Sequence, residues 1–326
     1  MSRVCIFGAG AIGSFLAARL AATDATVSCI ARGPHLTAMQ NHGLRLHSGE
    51  QQTTVRLDCT DTPADLGQQD VVLVTLKAQQ LAENAARIAA LAGPDTIIVA
   101  VQNGLPWWYF YADSSAFGEH HLASIDPGGE IWRNLKPERA LGAIVYPAAE
   151  IVAPGTVQHI SGNRFTLGEP DSSDSPRLRT LAALLDAAGL QAEISTNIRP
   201  DIWLKLSVSA TLNPLNLILG GTVGDILNDA ARRDHLQTLI QEAQQVGAAI
   251  NARPGMTPGE LVTALEVVAP HQTSMLKDFR QGRSLEIAAL TGAVLEIGAR
   301  MGIATPGLQQ LQAGVVSKLQ ANAAPD

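Results

Sequence analysis

Gly8, Gly10 and Gly13 stand in GxGxxG spacing within VCIFGAGAIG, directly after an apolar β-rich run and at the opening of a helical one. In that context Gly8 permits a tight turn, Gly10 lets the backbone approach a pyrophosphate, and Gly13 lets helix and strand pack closely. The free N–H groups of the first helical turn then hold phosphate oxygens. The pattern predicts a dinucleotide site over Gly8, Ala9, Gly10, Ala11, Ile12 and Gly13. Two other uses stay open: a glycine turn that serves packing only, and a site for S-adenosylmethionine. An NAD site usually places an acidic residue about 20 residues further on, at the end of the second strand. Here CIARGPH puts Arg32 at that place. A guanidinium pairs with a 2′-phosphate that a carboxylate would repel, so the expected cofactor is NADP(H). The alternative is a surface arginine at a strand end. Lys77 in TLKAQQ and Asn103 in VQNGLP follow two further β-rich runs. A lysine and an amide there would orient the nicotinamide end and a substrate carboxylate, although each taken alone is an ordinary loop residue.

These residues need a scaffold, and the alternation of pattern supplies one. VCIF (4–7), TVSCIA (26–31), DVVLVTL (70–76), TIIVAV (96–101) and LGAIVY (141–146) are nearly continuous apolar runs. That is the signature of parallel strands buried on both faces. Helical patterns over 11–22, 34–42, 78–92 and 176–188 lie between or beyond them. From about residue 200 strand signals vanish, and 229–252, 257–268, 284–302 and 305–323 carry apolar residues at helical spacing. The expected fold is α/β, a Rossmann-type doubly wound parallel sheet over 1–198 followed by an all-helical C-terminal domain over 199–326. The boundary is expected at Asn197–Pro200, where proline interrupts the pattern.

Composition narrows the function. With 46% hydrophobic and 16% charged residues, the 326-residue chain has ample core material. A net charge of −7 argues against nucleic acid or a membrane surface as partner. Cys5, Cys29 and Cys59 have no CxxC spacing and read as reduced core cysteines of a cytoplasmic protein. No uninterrupted apolar run reaches the ~18 residues of a membrane span. The early glycine turn leaves no room for a signal peptide.

GAGAIG, IARG with Arg32, LKAQQ, QNG, WLKLSVSATLNPL and TSMLKDFRQGRSLEI occur in that order along the chain. Together they resemble the ketopantoate reductase (2-dehydropantoate 2-reductase) family, NADPH-dependent enzymes of pantothenate synthesis. The resemblance implies that Lys205 is the catalytic acid and that Glu286, twelve residues after a substrate-binding Ser274, is its partner. It further implies that Asn103, Lys205, Ser209 and Asn213 bind substrate, and that Lys77, Asn103, Ala149 and Glu286 join the cofactor contacts.

Elementary chemistry agrees with those roles. Lys205, Ser209 and Asn213 are spaced i, i+4, i+8, one helical stripe of roughly 12 Å. Pro214 predicts a kink or an end beside Asn213. Reducing a 2-oxo acid puts negative charge on the former carbonyl oxygen, which an ammonium can stabilise and protonate. Glu286 is expected near the start of a helix capped by Ser284, where the dipole tolerates an anion. The plainer readings are a first-turn carboxylate for Glu286 and a lysine snorkelling from the core for Lys205.

The chain departs from the family pattern at several places. Ser209 stands where asparagine is usual, and a later asparagine falls on Val223. Ala288, Thr291 and Gly292 occupy the places of an aspartate and an Asn-Gly pair. The stretch from Leu105 to Arg139, with WWYFY (107–111) and Trp132, is longer than usual. It reads either as a flap packed on the body or an oligomer contact, or as a lid over the pocket. The expected activity is NADPH-dependent reduction of a small 2-oxo acid, ketopantoate first. Substrate is expected in a cleft that closes between domains, and both a monomer and a homodimer stay open. Two alternatives remain: a relative acting on another 2-oxo acid or an imine, and a non-catalytic NADP(H) sensor.

Overall fold

In the computed structural model, which describes residues 2–323, each near-continuous apolar run becomes a strand. The strands are β1 (Arg3–Phe7), β2 (Thr26–Ile30), β3 (Leu44–Ser48), β4 (Gln51–Val55), β5 (Asp58–Thr60), β6 (Gln69–Val74), β7 (Ala92–Ala100), β8 (Ala140–Val145), β9 (Ala148–Ala153), β10 (Thr156–Ser161), β11 (Arg164–Gly168) and β12 (Gln191–Ile194). One sheet has the order β12-β11-β8-β7-β6-β1-β2-β5. Its β5-to-β8 part is parallel, and β11 pairs antiparallel with β8. A second sheet, β4-β3-β10-β9, has no counterpart in the sequence reading. Strands such as QQTTV in β4 are almost wholly exposed, so no apolar run marks them.

The helices of this first unit are α1 (Ala11–Leu20), α2 (Gly33–His42), α3 (Leu81–Ala89), α4 (Glu130–Leu135) and α5 (Pro176–Ala187). Helix α1 packs between the sheets, touching β1 and β2 on one side and β3, β9 and β10 on the other. Phe15 of α1 stacks on His159 of β10 with ring centroids 4.6 Å apart. Cys29 is buried in this core, Cys5 is buried on the other face of β1, and the three cysteines form no disulfide.

The second unit holds α6 (Ile198–Leu219), α7 (Val223–Leu227), α8 (Ala230–Ala249), α9 (Pro258–Ala264), α10 (Ser274–Arg280), α11 (Ala293–Met301) and α12 (Pro306–Ala323). Helix α8 is its centre, with α7, α9, α11 and α12 packed against it. Trp203 of α6 is fully buried and donates its Nε1–H to the Ala243 carbonyl at 2.9 Å. Helix α6 is, among the described residues, the one helix long and apolar enough by length and composition to cross a membrane, and most of it is buried in the fold.

The division of the chain corrects the expected one. The first unit comprises Met1–Gln102 and Gly128–Ile198, and the second Asn103–Pro127 and Arg199–Asp326. Residues 103–127 thus belong with the helices, and only 128–139 of the long stretch stay with the sheet. Tyr109 and Arg199 explain this. Arg199 donates to the carbonyls of Tyr109 at 2.8 Å and Tyr111 at 2.5 Å, and Tyr109 packs on Trp203. Trp107, Trp108, Tyr109 and Phe110 are all buried, which favours the packed flap over a lid.

Two helix ends differ from expectation. Pro200 lies in the first turn of α6, where its missing N–H is no loss. Pro214 neither ends α6 nor leaves a buried carbonyl unpaired. The carbonyl of Ala210, which a residue-214 N–H would otherwise satisfy, accepts the Thr291 hydroxyl at 2.6 Å.

The core of the second unit has no slack around Trp203. A Cβ built on Gly247 would lie 2.2 Å from Trp203 Nε1. Gly247→Ala is expected to cost about 1–3 kcal/mol by overpacking. Urea unfolding monitored by far-UV circular dichroism reads this directly, and an unchanged midpoint contradicts the packing.

Candidate active site

The glycine turn follows β1, and its three glycines have different reasons to be glycine. Gly8 has φ +106°, and a Cβ there would lie 2.8 Å from Leu76 Cδ2. At Gly13 a Cβ would meet the Gly8 carbonyl oxygen at 2.3 Å and Thr75 Oγ1 at 2.5 Å. At Gly10 a Cβ would meet nothing within 4 Å. That open space lies at the N-cap of α1, where no side chain caps the helix. The first helical bond there runs from the Ser14 N–H to the Gly10 carbonyl at 2.8 Å. The N–H groups of Ala11, Ile12 and Gly13 precede it. The turn itself is pinned by Gly8 and Ala9, whose N–H groups both donate to the Ile30 carbonyl at 3.0 Å. A backbone cradle with an uncapped helix start fits a dinucleotide pyrophosphate.

Arg32 is exposed at the N-cap of α2, just beyond β2. Lys77 lies beyond β6, partly buried at the start of a short 3-10 turn. Ala149 lies on the second sheet in register with His159, partly buried against the core that α1 shares with this sheet.

The other group of predicted residues gathers on the second unit. Lys205 Nζ donates to Asn103 Oδ1 at 3.2 Å. The residue keeps some exposure along its stem, but its ammonium end is enclosed. Burial lowers its pKa and the charge of Glu286 opposes that shift, leaving a net value of about 8. Ser209, one turn further along α6, donates to its own helix at the Leu206 carbonyl, 3.4 Å away. The Asn213 amide and the Ser274 hydroxyl have no protein hydrogen-bond partner among the described residues.

Glu286 does not sit inside a helix. Residues 284–286 are irregular, and a π-helical turn opens at Ala288 with Ile287 as its N-cap. Ser284 is therefore no helix cap, and Glu286 owes its place to the loop before the turn. Val223 is 2% exposed, packed at the start of α7.

The Asn103 loop is fixed by its own glycine. Gly104 has φ +92°, and a Cβ there would lie 2.5 Å from the Ala289 carbonyl oxygen. The neighbouring Leu105 N–H donates to that same oxygen at 2.9 Å. A functional support that the sequence reading missed is Asn216, fully buried on α6. Its Oδ1 accepts from the N–H and hydroxyl of Thr273, both at 3.1 Å, and Thr273 directly precedes Ser274. The signal was available, since an amide in an apolar helix must find partners when buried. Among the described residues no group of three or more His, Cys, Asp or Glu could hold a metal ion.

The family model described as Ketopantoate reductase PanE/ApbA matches residues 4–172, and that described as Ketopantoate reductase PanE/ApbA C terminal matches residues 197–318. The chain belongs to the ketopantoate reductase family. A 2-dehydropantoate 2-reductase of Mesorhizobium japonicum is 39% identical over 312 residues, covering 95% of this chain and 96% of the relative. Among solved structures, a ketopantoate reductase candidate from Ralstonia solanacearum is 39% identical with a TM-score of 0.92, covering 100% of both chains. A D-mandelate dehydrogenase solved with NADH and anilino(oxo)acetate shares the fold at 22% identity, with a TM-score of 0.84 over 99% of this chain and 100% of that one. Like the rest of the ketopantoate reductase family, this chain is an oxidoreductase that works with a nicotinamide cofactor.

The glycine geometry separates binding from folding. Gly10→Val should leave thermal stability within about 0.5 kcal/mol, as for a surface change, because its side chain enters open space. It should abolish nucleotide binding by filling the cradle. Gly13→Ala should instead lose stability, since its Cβ strikes backbone. Calorimetric melts and cofactor titrations of both variants check this, and a Gly10→Val protein that binds cofactor normally contradicts the assigned cradle.

Proposed function

We propose that this protein reduces a small 2-oxo acid with NADPH, and that 2-dehydropantoate (ketopantoate), reduced to pantoate, is its substrate. The observation that carries the proposal is the Lys205 ammonium, desolvated, held by Asn103 and electrostatically supported by Glu286. A general acid works best with a pKa near the operating pH, and a value of about 8 meets that need. When bound, the reduced nicotinamide supplies a hydride to the carbonyl carbon. Lys205 stabilises the charge that develops on the carbonyl oxygen and delivers the proton, completing the 2-hydroxy acid. Glu286 favours the charged lysine before transfer and accepts a hydrogen bond from the product hydroxyl. Asn213 and Ser274, with donors not used by the protein, are suited to the substrate carboxylate and hydroxyls.

Arg32 supports NADPH over NADH. It stands exposed where a 2′-phosphate would be met, and α2 has no acidic residue in its first turn. A second reading rests on Ser209, which is shorter than the usual asparagine and bonds to its own helix. It favours a bulkier, more apolar 2-oxo acid. Following NADPH oxidation against a panel of 2-oxo acids decides between these substrates, and no turnover with any of them rejects the reductase reading.

Two further outcomes are expected. Lys205→Ala should lower turnover by roughly a hundredfold or more, with NADPH affinity nearly unchanged. In the unaltered protein the general acid must be protonated, so reduction should fall as pH rises through about 8. A kcat profile flat from pH 7 to 10 contradicts that role.

Arg32→Ala should weaken NADPH selectively. A charge-assisted phosphate contact is worth about 1.5–3 kcal/mol, a loss of roughly tenfold or more in affinity. Fluorescence titration with NADPH and NADH measures it. Equal affinities of the unaltered protein for both cofactors would remove the NADP assignment.

A further inference from the structure

The two partners of Lys205 hang from one short piece of chain, the π-helical turn Ala288–Gly292. Glu286 lies just before it, and the Glu286 carbonyl accepts the Leu290 N–H at 3.2 Å. Asn103 is tied to it from the other side, because the Ala289 carbonyl accepts the Leu105 N–H at 2.9 Å. The turn in turn is fastened to α6 by the Thr291 hydroxyl on the Ala210 carbonyl at 2.6 Å. Ala210 is five residues from Lys205 on the same helix. The links close a ring within the second unit: Lys205, Ala210, Thr291, Ala289, Leu105, Asn103 and back to Lys205.

That ring exists because of a defect. Pro214 has no N–H to give Ala210, so the carbonyl is open to an outside donor. Thr291 is 0% exposed and fills the vacancy, and the π-helical bond from the Gly292 N–H to the Ile287 carbonyl at 3.0 Å widens the backbone around it. We infer that Thr291 is a positioning residue, whose bond to the carbonyl opened by Pro214 fixes the register in which Asn103 and Glu286 meet the Lys205 ammonium. The inference rests on Lys205 being the proton donor, and it goes beyond that reading by naming what holds the donor's partners. Thr291 does not act on substrate itself.

Thr291→Val keeps the shape and removes the donor, while Thr291→Ser keeps the donor. Thr291→Val should lower kcat by roughly tenfold to a hundredfold, the scale of an ångström-sized misplacement. NADPH affinity should stay as it was, and Thr291→Ser should retain most of the activity. The titration of Lys205, read by 13C NMR of labelled lysine side chains without any substrate, should move to lower pH in Thr291→Val as Asn103 and Glu286 withdraw. Pro214→Ala returns an N–H to the Ala210 carbonyl, so Thr291→Val should do less harm in that background than alone. An unmoved Lys205 titration, with activity lost only in step with folded protein, would overturn the inference and leave Thr291 a structural residue. Failure of the unaltered protein to reduce any 2-oxo acid would reject the functional reading instead, and the NMR arm would still decide the role of Thr291.

Discussion

A cation held away from bulk water sets the terms for everything around it in the second unit. Burial favours neutral Lys205 and outweighs the opposing charge of Glu286, so its pKa falls from an ordinary 10.5 to about 8. Linkage gives the sign. The folded value lies below the unfolded one, so the native state is less stable with the ammonium charged and gains stability as pH rises from about 8 to 10.5. At neutral pH the fold carries that cost, on the order of a few kcal/mol. Asn103 limits it through its hydrogen bond and Glu286 through its charge, and Gly104 and the π-helical turn hold the segments that carry them.

How much of this was legible depended on whether a residue announced its own environment. The five strands at the centre of the large sheet are apolar on both faces, so VCIF and DVVLVTL could hardly be anything else. The second sheet was invisible for the opposite reason, because strands such as QQTTV lie open to solvent and are held by backbone pairing to β3 rather than by burial. The glycine turn was legible because Gly8 and Gly13 answer steric demands local to the motif. The placement of 103–127 was not, because it depends on Arg199 and Trp203, which lie far along the chain. Glu286 was named through the family resemblance, and its setting was misjudged, since nothing in RSLEIAAL separates a loop that leads into a π-helical turn from a capped α-helix.

The departures from the family pattern look different once placed. Val223 reflects packing, for it is sealed in the start of α7. Thr291 replaces an amide yet makes a buried hydrogen bond of its own to α6. Ser209 alone among the three stands on the stripe that carries Lys205 and Asn213.

The assignment of 103–127 to the helical unit has a consequence for biosynthesis. Arg199, which binds the Tyr111 carbonyl, leaves the ribosome 88 residues after it. At about 5–20 residues per second, the nascent chain carries WWYFY for roughly 4 to 18 seconds before the helix that covers it has been made. Neither half of this gene encodes a self-sufficient body: a fragment ending at 198 would hold an aromatic strip with nothing to bury it, and one starting at 199 would lack the partner of its own lysine. A pause in translation between codons 112 and 199 lengthens that exposure in direct proportion to its duration.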